Sequence, residues 1–218
     1  MLEENANKLV SPGRGILAAD ESTGTMSSRL QGVGVDPSEE ARRSYRANLF
    51  ATPGCEGAVS GVILYDETIR QMMDDGTPIP DYMVAQDILP GIKVDTGAHP
   101  LANHDDEKIT EGLDGLRTRC IEYFNMGARF AKWRAVITIA DGIPSQACIS
   151  ANAHALARYS AICQEQGLVP IIEPEVLMNG NHDAARCYSV TAEILAATFA
   201  ACEDQGVHIP GALLKPNM

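Results

Sequence analysis

Two hydrophobic patterns alternate along the chain. Short, nearly continuous apolar runs recur between longer stretches whose apolar positions fall three and four residues apart. The runs read as strands buried on both faces, and the longer stretches as helices with one inward face. The first helix covers residues 1–10 and is broken by Ser11-Pro12-Gly13. Strands are expected at 15–20, 59–66, 90–95, 128–134, 168–175 and 212–214. Helices are expected at 25–31, from Pro37 onward, at 67–73, 82–88, 113–125 and 145–166, and from Asp183 to about residue 205. Pro37 and the Ser38-Glu39-Glu40 run suit a helix start, and Gly127, Gly167 and Gly206 suit helix ends. Residues 99–110 read as a polar loop, and 135–140 as the loop after the fourth strand.

Strands that alternate with helices imply a parallel sheet. The chain has no GxGxxG and no GxxxxGK[ST] motif, so a doubly wound nucleotide-binding sheet lacks its phosphate loop. Charged residues close strand after strand: Asp20, Lys93 and Asp95, Lys132 and Arg134, Glu173 and Glu175, and Lys215. Charges at the C-terminal ends of many strands are the signature of a (β/α)8 TIM-barrel active site. The fold class is therefore α/β, a (β/α)8 barrel of which this chain supplies about six βα units in a single domain, 1–218.

Composition narrows the function classes. At 218 residues and 45% hydrophobic, the chain can bury a sizeable core. A formal net charge of -12 argues against nucleic acid or an anionic membrane as partner. No signal-peptide pattern opens the sequence, which implies a cytoplasmic location. The six cysteines are irregularly spaced and fit reduced thiols better than a disulfide framework. The histidines are scattered, which gives a metal site little support.

Side chains two apart on a strand share a face, so Lys93 with Asp95, Lys132 with Arg134, and Glu173 with Glu175 each point the same way. If those faces look into a barrel mouth, cations and carboxylates converge. A ring of salt bridges that only satisfy one another is the plain alternative. If Lys132 and Lys215 are neighbours, each disfavours protonation of the other, which makes an amine nucleophile suited to Schiff-base chemistry on a carbonyl. Trp133, between Lys132 and Arg134, is expected to face the helix layer as core. His182-Asp183 reads as a helix cap rather than a catalytic pair.

Six stretches carry a closer resemblance. They are Gly15-Ile16-Leu17-Ala18-Ala19-Asp20-Glu21-Ser22-Thr23-Gly24, Pro90-Gly91-Ile92-Lys93-Val94-Asp95, Glu111-Gly112-Leu113-Asp114-Gly115-Leu116, Phe130-Ala131-Lys132-Trp133-Arg134, Val169-Pro170-Ile171-Ile172-Glu173-Pro174-Glu175, and Leu213-Leu214-Lys215-Pro216-Asn217. Together and in this order they resemble class I fructose-1,6-bisphosphate aldolase. The resemblance implies a lyase that reversibly cleaves fructose 1,6-bisphosphate to dihydroxyacetone phosphate and glyceraldehyde 3-phosphate, with no metal and no cofactor. It implies Lys215 as the Schiff-base lysine, Glu173 as the acid and base of carbinolamine formation and dehydration, Asp20 at the C4 hydroxyl, and Lys132 beside Lys215. It also places Arg29, Arg42, Lys93, Arg134 and Glu175 among the substrate-binding residues. Read without the resemblance, Arg29 and Arg42 are ordinary solvated helix charges.

Family members are commonly homotetramers, and a cytoskeletal protein partner is a further expectation. The family pattern runs on past the Schiff-base lysine for two more strands, a second phosphate site and a C-terminal tail, whereas this chain stops three residues after Lys215. The expectation is an incomplete form of a longer enzyme, inactive or nearly so by itself, with its first and last strands left as unpaired edges. Two other readings compete: a non-catalytic aldolase-like scaffold, and another Schiff-base sugar-phosphate aldolase of the transaldolase type.

Overall fold

Six of the apolar runs lie side by side in chain order as one parallel sheet. In a computed structural model that describes residues 1–217, the sheet consists of β1 (Gly15–Ala18), β2 (Val59–Leu64), β3 (Leu89–Lys93), β6 (Phe130–Ile137), β7 (Val169–Val176) and β8 (Leu213–Leu214). A separate antiparallel hairpin, β4 (Gly97–Pro100) with β5 (Lys108–Glu111), interrupts the series. Nine helices accompany the strands among the described residues: α1 (Leu2–Leu9), α2 (Thr23–Gly32), α3 (Glu39–Phe50), α4 (Cys55–Ala58), α5 (Asp66–Ile69), α6 (Ile79–Ala85), α7 (Leu116–Asn125), α8 (Gln146–Glu165) and α9 (Ala184–Asp204). The sheet is an arc of a (β/α)8 barrel. Among the described residues no helix is long and apolar enough to cross a membrane.

Local chemistry sets the helix starts. Ser22, Ser38, Ser145 and Asp183 each accept the backbone N–H three residues on, filling a donor that helix geometry leaves open. Asp183 thus caps α9.

The alternation of side chains divides the core in two. Outward residues such as Val62, Leu64, Ile92, Ala131, Trp133 and Ile172 pack under the helices. Trp133 is fully buried and stacks on Tyr159 of α8 at 5.5 Å. Inward residues at the N-terminal end of the sheet, Ile63, Phe130, Val169 and Ile171, pack with Ala6 and Leu9 of α1, which closes that end. Phe130 occupies space that side chains on β2 and β3 would otherwise fill. A Cβ on Gly91 would overlap its ring, and one on Gly61 would sit 2.9 Å from it and 2.5 Å from Leu9. Burying a phenylalanine in this way contributes about 1.5–3 kcal/mol.

Three local expectations are corrected. Residues 97–111 hold a hairpin rather than only a polar loop. Its strands are fixed by tertiary polar contacts, Thr110 Oγ1 to the Arg134 carbonyl at 2.7 Å and Asn152 Nδ2 to the Lys108 carbonyl at 2.8 Å, which leave no local apolar signal. The fourth strand runs on to Ile137, because β6 pairs with β7 along its whole length. The second strand ends at Leu64, before its expected carboxylate: Asp66 opens α5 and accepts from Arg70 and Tyr123, whereas Tyr65 lines the cleft described next.

Candidate active site

The inward face that begins in apolar packing at one end of the sheet ends in charge at the other. On β6 the inward series is Phe130, Lys132, Arg134; on β7 it is Ile171, Glu173, Glu175. A cleft of about 550 Å³ opens over these ends. Asp20, Lys93, Lys132, Arg134, Glu173, Glu175 and Lys215 all line it.

At its floor the charged groups share one contact chain. The Lys132 ammonium donates to Asp20 Oδ2 at 3.0 Å and lies 3.0 Å from Glu173 Oε2. The other Glu173 oxygen, Oε1, lies 2.8 Å from Lys215 Nζ. Glu173 therefore bridges the two lysines. Lys132 and Glu173 expose only 6% and 8% of their side chains, whereas Lys215 exposes 38%. Burial pulls the Lys132 ammonium down, but Asp20 and Glu173 together outweigh it and hold its pKa above the ordinary lysine value. Lys215 sits here because β8 pairs with β7 and its own N–H donates to the Ile172 carbonyl at 2.9 Å.

The wall of the cleft is a second set of pairs. Lys93 pairs with Asp95 and donates to its carbonyl at 2.9 Å; Arg134 pairs with Glu175. Burial lowers and Glu175 raises the Arg134 guanidinium, with a net rise.

Neither helix arginine lines the cleft. Arg29 is exposed and pairs with Glu21 at 2.7 Å. Arg42 is nearly buried and grips Glu67 through Nε and Nη2, the latter at 2.6 Å from Oε1, while its Nη1 donates to the Pro37 carbonyl at 2.7 Å. Other lining residues escaped sequence reasoning: Glu21, Ser22, Thr25, Tyr65, Thr96 and Val136. Tyr65 was legible from alternation, since it shares the face of Ile63. In sequence Ser22 falls in turn chemistry and Thr25 opens a short helix, and neither marks a cleft.

All six cysteines are free thiols, and Cys120 and Cys163 approach to 3.8 Å in the helix layer, away from the cleft. No group of three or more histidine, cysteine or carboxylate side chains among the described residues is placed to hold a metal ion.

A family model for fructose-bisphosphate aldolase class-I matches residues 1–218. The chain belongs to this family. It is 56% identical over 217 residues to a probable fructose-bisphosphate aldolase class 1 of Xanthomonas campestris, covering 100% of this chain and 65% of that protein. It is 53% identical to the cytosolic fructose-bisphosphate aldolase 6 of Arabidopsis thaliana, over 98% of this chain and 60% of the relative. The fold matches fructose-bisphosphate aldolase from Plasmodium falciparum, solved in complex with TRAP and a small-molecule inhibitor. There the TM-score is 0.97 at 47% identity, covering 100% of this chain and 63% of that one. The chain thus spans less than two thirds of the length of these aldolases.

Proposed function

We propose that the site performs the aldolase reaction, cleaving fructose 1,6-bisphosphate into dihydroxyacetone phosphate and glyceraldehyde 3-phosphate. The observation that carries this reading is Glu173 held between Lys215 and Lys132, with Asp20 on the far side of Lys132.

Each group has a task in that order of contact. The Lys215 amine adds to the C2 ketone. Glu173, at 2.8 Å, takes the proton that the amine must lose and returns protons to the hydroxyl that leaves as water. The resulting iminium draws the C3–C4 bonding electrons toward itself. Asp20 accepts the C4 hydroxyl proton as that bond breaks, releasing the aldehyde. Lys132 fixes both carboxylates in place. The enamine left on Lys215 then takes a proton at C3, and water releases the second product. Lys93 and Arg134, although paired with Asp95 and Glu175, are the cations of the wall and suit the phosphate of a sugar phosphate. In the same reading Glu175 orients Arg134, and Arg29 and Arg42 serve the phosphate end only after exchanging their present partners, Glu21 and Glu67.

Cytosolic residence accompanies the reading, through the cytosolic Arabidopsis relative. A homotetramer is the proposed assembly, and light scattering at the elution peak tests it. A second reading, a protein-docking role that needs no turnover, is favoured by the TRAP complex of the Plasmodium relative and by the half-open setting of Lys215.

Triose phosphate release distinguishes them. In a chain extended to the length of its relatives, the proposed reaction gives both products from fructose 1,6-bisphosphate and none after Lys215→Met. Equal release from the Lys215→Met variant would contradict it.

A further inference from the structure

Asp20 stands where the sheet no longer holds the chain. β1 ends at Ala18, and the last ladder contact on this strand is the Ala19 N–H donating to the Ile63 carbonyl at 3.1 Å. On its other side the next fixed backbone group is the Glu21 carbonyl. That carbonyl accepts from Arg46 Nη2 at 2.6 Å. Arg46 lies on α3 and is fully buried, and its Nη1 donates to Thr68 Oγ1 of α5 at 2.8 Å. Ser22, one residue further, is already committed as the α2 cap.

We propose that Arg46 is a positioning residue for C–C cleavage: it clamps the Glu21 carbonyl and so holds the Asp20 carboxylate in register with Lys132. The inference rests on the proposed aldolase reading for its chemical consequence. The clamp itself rests on geometry alone.

Three observations carry it. Arg46 spans three elements, the β1–α2 loop, α3 and α5. Its one carboxylate pairing among the described residues is long, Glu21 Oε2 at 3.6 Å, and its Nε has no partner among them. A fully buried guanidinium is a poor source of stability, because desolvation offsets what its contacts return. What the arrangement provides is a fixed direction for one peptide group, and that group follows Asp20. Arg42, a turn earlier on α3, holds the Glu67 carboxylate of α5 instead, so of the two only Arg46 reaches a backbone carbonyl of the β1–α2 loop.

The test uses Arg46→Lys, which keeps a charge and one donor, and Arg46→Met, which keeps neither. Three quantities are read on each folded protein. They are amide hydrogen exchange over residues 18–26, the borohydride-trapped dihydroxyacetone phosphate adduct on Lys215, and single-turnover cleavage of fructose 1,6-bisphosphate. The expected result for Arg46→Lys is faster exchange over 18–26 with β6 and β7 unchanged. Adduct yield stays unchanged, and cleavage falls roughly 10–100-fold, as misplacing a reacting group by about 1 Å does. In an Asp20→Asn background the same substitution should cost no further cleavage. Arg46→Met should exceed Arg46→Lys in exchange over 18–26 and in lost cleavage. Adduct and cleavage falling together, or exchange that rises equally across the sheet, would overturn the proposal. If the unsubstituted chain, extended to the length of its relatives, forms no adduct, the aldolase reading fails. The exchange arm then decides alone, with unchanged protection over 18–26 in both variants overturning the clamp.

Discussion

β6 and β7 pair along eight residues, and β7 and β8 along two. The first pair carries Lys132 and Glu173, buried in the middle of the sheet. The second delivers Lys215 one residue past the short edge strand, with more than a third of its side chain open. The two regions divide the chemistry. Glu173, the proposed proton carrier, and Lys132 are fixed before any ligand arrives, by strands buried on both faces. The amine proposed to form and release a covalent bond sits where fewer backbone contacts hold it. Glu173 is the contact between the two regimes.

The largest effects should fall on that contact. Lys215→Met should abolish the trapped adduct, and Glu173→Gln should slow its formation by roughly 10²–10⁴-fold. Asp20→Asn should separate the steps, leaving adduct formation intact while cleavage slows by a similar factor, about 10²–10⁴. An Asp20 variant that fails to form adduct would break the division of labour.

Next comes the buried centre as structure. Lys132→Met leaves Asp20 without its cation and Glu173 with Lys215 alone, which should cost about 3–5 kcal/mol, read from the urea midpoint at neutral pH. The pH dependence has a definite sign. The Lys132 pKa is raised in the folded state, so its contribution is full below the ordinary value of 10.5 and is lost as pH rises through the raised value. The difference in stability between the unsubstituted protein and Lys132→Met should therefore shrink only in strongly alkaline urea titrations. A gap that closes between neutral pH and about 9 would contradict this.

Smaller again is the packing below the site. Gly91→Ala forces a methyl into the Phe130 ring and should destabilise by about 1–3 kcal/mol, lowering the thermal midpoint while the adduct still maps to Lys215. The smallest effect belongs to the surface. Arg117 and Glu165 are both more than half exposed, so Arg117→Gln should leave the urea midpoint unchanged within its error.

The sheet was legible because buried parallel strands write their burial into continuous apolar runs, as in residues 59–64 and 168–175. The floor of the site was legible because period-two alternation puts Lys132 with Arg134 and Glu173 with Glu175 on one side. The hairpin at 97–111 was not, since Thr110 and Asn152 hold it through tertiary hydrogen bonds rather than local pattern. Nor was the bracing by Arg42 and Arg46. A helix arginine reads the same in sequence whether it meets water, a phosphate or a backbone carbonyl, and only the packing of α3 against the β1–α2 loop decides which.

The central claim is that Lys215 is the nucleophile and Glu173 its proton carrier. Borohydride reduction in the presence of dihydroxyacetone phosphate, followed by peptide mass spectrometry, tests it most directly. The account predicts one reduced adduct, on Lys215, whose rate of formation collapses in Glu173→Gln and survives in Asp20→Asn. An adduct on Lys132 or Lys93 instead, or none from a folded chain extended to the length of its relatives, would contradict it.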